Sequence, residues 1–197
     1  MGATSDMRVA STGWCATWRH VRWTMGVAVI LAATAPALAE EMPASLRELL
    51  IEYRCPVVDR LERVYEAGDH AKHADRFLAV TVPEHPFGYV QCMFLEKRTV
   101  ILCEASSGYY ATPQGVPRVR LPAEAITALA ELGFDTDDSK GNFQATATLS
   151  KTPPDFNYLA DFILETLHAV YGARATSKLR FNAPFAPRAT SQCVPVS

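Results

Sequence analysis

No one sign of charge dominates this sequence, and no apolar run is long enough for a membrane span. The formal net charge is −2 over 197 residues. That excludes the basic excess of a nucleic-acid footprint and the polybasic patch of a membrane-surface protein. Internal repeats and low-complexity tracts are absent, which excludes solenoids and biased linkers. Hydrophobic residues make up 49% and charged residues 20%, a globular balance that excludes intrinsic disorder and collagen-like chains. Catalytic signatures are missing too. There is no G-x-S-x-G, no H-E-x-x-H and no C-x-x-C. Asp138-Ser139-Lys140-Gly141 lacks the glycine spacing of a phosphate loop. Tryptophan does not occur after Trp23.

The first 39 residues have the pattern of a secretory signal peptide. Arg8, Arg19 and Arg22 supply a positive region, and Met25 to Ala33 is a short apolar run. Ala37-Leu38-Ala39 places small residues where a signal peptidase cuts. A membrane span needs roughly 20 apolar residues, and this run is shorter and ends near Pro36. Initiation at Met7 would shorten the positive region. The expectation is export through the general secretory route to a periplasmic or secreted location, with no stable span after cleavage. The expected organisation is residues 1–39 as leader, 40–183 as a single domain and 184–197 as an irregular tail.

Beyond the leader, periodicity gives the elements in order. Leu46, Leu49, Leu50, Tyr53, Val57, Leu61, Val64 and Tyr65 form one apolar stripe, a helix from about Ser45 to Ala67. Pro56 inside it removes an amide donor, so a kink or split is expected there. Phe77–Val82, Tyr89–Leu95 and Thr99–Ala105 are strand runs with short connections, an antiparallel meander. Tyr109-Tyr110 is placed to prolong the third. A second helix opens at Pro122 and stops at Gly133. Asn142 to Ser150 alternates, with Phe143, Ala145, Ala147 and Leu149 on one side, as a half-buried strand does. Asp155 is placed to cap a third helix, and Gly172 to end it. Helix, three strands, helix, strand, helix specifies an α+β fold: an antiparallel sheet with helices on one face.

Four cysteines follow the leader: Cys55, Cys92, Cys103 and Cys193. An even number in an exported chain suits two disulfides. If Lys97-Arg98, or the four residues Glu96 to Thr99, form the turn, Cys92 falls directly opposite Cys103, with both sulfurs on one face. The β carbons of such a non-hydrogen-bonded pair stand close enough for a bridge. A three- or five-residue loop would break this register, and two buried free thiols are the alternative. By elimination Cys55 would then pair with Cys193.

Leu132-Gly133-Phe134 closing a helix, Gly141-Asn142-Phe143 opening a strand, and Leu164-Glu165-Thr166-Leu167 in a helix ending Val170-Tyr171-Gly172 are shared features. On these the chain resembles the type III secretion chaperone-like fold, closest to the bacterial TY-Chap domains. The resemblance implies a small binding protein that holds peptide segments, with a protein or peptide partner and a possible homodimer. With the absence of catalytic signatures and of a basic excess, the expectation is a non-enzymatic protein with no cofactor and no nucleic acid.

Candidate residues outside that resemblance are few. Tyr109, Tyr110, Phe134 and Phe181 are the candidate partner-binding aromatics, and the same rings equally close a core. Asp69-His70, His73 and Asp75 are the one local metal-like cluster, and spacing alone gives no zinc geometry, so no metal is expected. The rival reading is a periplasmic enzyme with dispersed catalytic residues, for which His168, Asp161 or Cys103 in a deep cleft would be the sign. A structural envelope factor is the third.

Overall fold

Each element of the meander stops where its turn chemistry begins. The computed structural model of the protein describes residues 42–111, 118–139 and 141–185, all within the unit Glu40–Ser197. Helix α1 spans Ala44–Ala67, strands β1, β2 and β3 span Leu78–Thr81, Tyr89–Leu95 and Val100–Ala105, and α2 spans Ala123–Glu131. Strand β4 spans Phe143–Thr148, α3 spans Phe156–Tyr171 and β5 spans Arg180–Asn182. The sheet has five antiparallel strands in the order β4-β3-β2-β1-β5. The α+β class and the element order agree with the sequence reading, to which the structure adds β5 at the sheet edge.

Burial explains the layering. Leu78 and Val80 of β1, Val90, Cys92 and Phe94 of β2, and Ile101, Cys103 and Ala105 of β3 share one core with α1 and α3. These residues alternate along their strands, so they project from one face of the sheet. Leu49, Leu61, Val64, Leu164 and Leu167 meet them from the helices and are fully buried. Tyr65 sets its ring edge-on to Phe94 at 5.1 Å and to Phe156 at 5.6 Å, the geometry that aromatic quadrupoles favour. Helix α1 runs through Pro56 as one 24-residue helix. The expected split is absent because residues on both sides of the proline, from Leu46 to Tyr65, are buried in the same core. Packing outweighs the missing amide bond.

Helix α3 begins and ends as its sequence specifies. The Asp155 carboxylate accepts the Asn157 and Tyr158 amides at 3.1 and 3.2 Å, satisfying donors that a helix start leaves open. Gly172 closes it in the left-handed region at φ 69°.

The β2–β3 hairpin closes through Glu96–Thr99, with Leu95 opposite Val100. Glu96, Lys97 and Arg98 all have positive φ, at 47°, 59° and 72°, a region side-chain-bearing residues visit at a cost. Support comes from outside the hairpin. Asp69 accepts the Lys97 amide at 2.7 Å and the Ala71 amide at 2.9 Å. Those two backbone bonds hold its carboxyl below the usual range. Arg98 donates to the Tyr65 carbonyl at 3.3 Å and lies over the Tyr65 ring, so the hairpin tip also closes the end of α1.

This register places Cys92 opposite Cys103, and the two form a disulfide with their α carbons 4.1 Å apart. The Ser106 amide donates to the Tyr89 carbonyl, which fixes the alternation and makes Cys92–Cys103 a non-hydrogen-bonded pair. Both cysteines are buried. Cys55 also takes part in a disulfide. Cys193, its expected partner, lies outside the described residues, as do the leader and most of the 184–197 tail.

Candidate functional site

Among the described residues strand β4 is an edge, and helix α3 does not cover it. Its side chains alternate as expected, but the apolar side is only partly buried. Phe143 is in the core, Ala145 and Leu149 are half-buried, and Ala147 is exposed. Between these residues and α3 runs an apolar trough. Three adjoining depressions, of about 250, 180 and 230 Å³, make it up. The first two share Ile101, Ala147, Tyr158 and Leu159, and the second and third share Leu132, Tyr158 and Phe162. Cys103 lies in the floor beside Ala145. Tyr158 stands 68% exposed on the helical wall. Phe134, behind that wall, is buried and stacks on Phe162 at 5.4 Å.

Backbone geometry makes the edge available. The Leu149 amide donates to the Thr99 carbonyl at 2.8 Å. With the β3–β4 register, antiparallel alternation turns the amides and carbonyls of residues 143, 145, 147 and 149 toward β3. Those of residues 144, 146 and 148 point away from the sheet. Gln144 confirms the direction, because its carbonyl accepts the Asp135 amide at 2.7 Å in an isolated bridge. Among the described residues no strand pairs with β4 beyond that bridge. Thr146 and Thr148 therefore offer two donors and two acceptors, directly beside the trough.

A second, polar depression of about 230 Å³ adjoins the start of β4, lined by Glu104, Asp135, Asp137, Asn142, Gln144 and Tyr110 among others. Gln144 donates to Glu104 at 3.1 Å, and Asn142 donates to the Tyr89 hydroxyl at 2.7 Å. Burial raises the Tyr89 hydroxyl above its ordinary value and drives Tyr171 far higher. Tyr171 donates to the Ser106 carbonyl and Tyr89 accepts from Asn142, so the two neutral phenols tie down the loop after β3 and the start of β4. Ser106 and Ser107 are buried in that loop, Ser107 donating to the Gly141 carbonyl at 2.6 Å.

The four aromatics singled out from the sequence lie in separate places. Tyr109 and Tyr110 are exposed in the loop after β3, ring to ring at 5.0 Å, and do not extend the strand. Phe134 is behind the trough. Phe181 is at the opposite sheet edge on β5, beside Tyr53 and under Arg60. The residues considered for an enzyme are likewise dispersed. Ser45 Oγ is 2.9 Å from His168 Nε2, the Asp161 carboxylate binds the Arg54 guanidinium through two bonds, and Cys103 is bridged to Cys92. His70 Nδ1 lies 3.2 Å from the Arg76 carbonyl and His73 faces Asp75. Among the described residues no set of three or more His, Cys, Asp or Glu side chains is placed to hold a metal ion. No helix among them is long and apolar enough to cross a membrane.

The trough residues Leu132, Tyr158 and Phe162 went unnoticed as a site in the sequence. The available signal was the pair of small residues Ala145 and Ala147 on the apolar side of a strand, too small to close a core against a helix.

The family model described as T3SS (YopN, CesT) and YbjN peptide-binding chaperone 3, TY-Chap3, matches residues 57–185. The chain belongs to this family. The matched stretch takes in the whole sheet and both walls of the trough. No curated protein and no solved structure matches the chain.

Proposed function

We propose that this TY-Chap3 protein is an exported, non-enzymatic chaperone that holds an extended segment of a partner polypeptide along β4. The observation that carries the reading is the coincidence of an unpaired strand edge, at Thr146 and Thr148, with an apolar trough on its inner side. A guest strand completes the edge through main-chain bonds and lays alternate side chains over Ala145 and Ala147, the mode by which sheet edges take up peptides. Main-chain bonds are indifferent to sequence, and a shallow apolar trough is nearly so. That combination suits holding of segments rather than turnover of one substrate. Each apolar side chain fully buried there contributes about 1.5–3 kcal/mol, against about 1–2 kcal/mol per residue for ordering the guest backbone. Binding is accordingly modest and reversible.

Amide hydrogen exchange tests the reading. The Thr146 and Thr148 amides exchange fast in the free protein and slow on addition of a synthetic peptide with alternating apolar residues, while Ala145 and Ala147 are protected throughout. Protection that appears elsewhere, or nowhere, refutes it. Export is supported by the leader pattern and by the Cys92–Cys103 bridge, since disulfides persist in oxidising compartments. Protein recovered from the periplasm or medium then lacks every tryptophan and shows tyrosine emission alone. Indole emission from that material refutes cleavage after Ala39.

A further inference from the structure

The rim of the trough is acidic. Glu131, at the end of α2, and Glu165, on α3, are exposed and flank the Leu132–Phe162 end. Asp155 stands at the other end, next to Lys151. Asp161 also lines the rim, with its charge answered by Arg54. Where β4 begins, the edge runs into the depression that holds Glu104, Asp135 and Asp137. A strand laid beside Thr146 and Thr148 thus meets carboxylates toward its Gln144 end and an apolar floor in its middle, while at its Thr148 end Asp155 is taken up in capping α3 and stands next to Lys151.

We infer that the segment this site selects is a stretch of another polypeptide with alternating apolar residues at its centre and Lys or Arg at the flank that lies toward Gln144. The inference rests on the peptide-holding reading above and adds the charge of the guest to it. The physical ground is complementarity. Rim charges contribute little to affinity individually, but several of one sign discriminate against a like-charged guest and speed the encounter with an opposite one. The long stems of Lys and Arg also lie well on the apolar walls at Tyr158 and Phe162 while their heads reach the rim.

The test uses the full processed chain and three labelled peptides with one apolar centre, flanked by two Lys, two Ser or two Glu. Fluorescence anisotropy at low salt is expected to rank them Lys, Ser, Glu, with about three- to tenfold between neighbours, and the gaps are expected to shrink at high salt. The Glu131→Gln/Glu165→Gln variant narrows the Lys–Glu gap. Both residues are exposed, so the fold tolerates the change. Equal affinities for the three, or a ranking untouched by the variant, overturns the charge preference while peptide holding stands. Binding of none of them overturns both. Affinity that falls as protein concentration rises means a second copy of the chain occupies the trough, and overturns the assignment to a foreign segment.

Discussion

Proline placed at successive positions of β4 separates the two sides of that strand by a property no other residue tests. At Ala147 the amide points to β3 and bonds Ile101, which is buried. Ala147→Pro removes that bond and leaves the Ile101 carbonyl without its partner. Leaving a buried acceptor orphaned costs about 1–3 kcal/mol, so that is the expected cost. At Thr146 the amide points out of the sheet. Thr146→Pro breaks no ladder bond, and proline also narrows the unfolded ensemble by about 0.4–1 kcal/mol. Its expected cost is about 0–1 kcal/mol, as for prolines on the open side of natural edge strands. The difference, about 1.5 kcal/mol, is roughly a tenfold change in the folded-to-unfolded ratio. It appears as a shift of about 1 M in the urea midpoint. Peptide binding discriminates in the opposite sense. Thr146→Pro, though folded, loses a donor to the guest and puts a ring in its path, so its affinity falls about tenfold. Equal costs at the two positions, or a greater cost at Thr146, would refute the assignment of which face of β4 is open.

Two further outcomes follow from the same structure. Cys92→Ala/Cys103→Ala opens a loop of sequence separation 11, so the chain-entropy model gives a loss of about 3 kcal/mol in urea unfolding. The m-value should rise, because the unfolded chain is no longer tethered; a loss below about 1 kcal/mol would count against the bridge as a stabilising element. Burial lowers His85 and His168 below their ordinary 6.5, with Arg174 adding to the effect at His168. The unfolded chain therefore takes up protons that the folded chain resists, so this stabilisation is full above that pH and is lost as pH falls through it toward the lowered folded values. The urea midpoint should drop between pH 7.5 and 5.5, and His85→Gln/His168→Gln should flatten the drop; an undiminished drop assigns it to other groups.

The hairpin was legible because one covalent constraint and one loop length agree. A four-residue turn fixes the register, and the register alone puts Cys92 against Cys103. The caps of α3 were equally legible, since Asp155 and Gly172 act through bonds within a few residues of themselves. Strand β5 was not. Arg180, Phe181 and Asn182 carry no buried-exposed alternation strong enough to mark a strand, and they become one by pairing with β1. Of the kink or split expected at Pro56, the split did not occur for a related reason, because the local cost of proline is visible in sequence and the burial on both sides of it is not. The trough was hidden inside a correct reading. The alternation of Phe143, Ala145, Ala147 and Leu149 identifies a strand with an apolar side, but whether a helix covers that side depends on where α3 crosses the sheet.

The disulfide gives the trough two walls of unequal stiffness. Cys103 in its floor is bonded through sulfur to β2, and β2 is paired on both sides, to β1 and β3. The β3 side of the floor can neither slide nor tilt without moving the centre of the sheet. Among the described residues strand β4 has no such tether. It is held by one neighbour along its length and by the single Asp135 bridge at its start. If a peptide is held as proposed, β4 is the less constrained wall against which guests of different bulk would press, and β3 the fixed one.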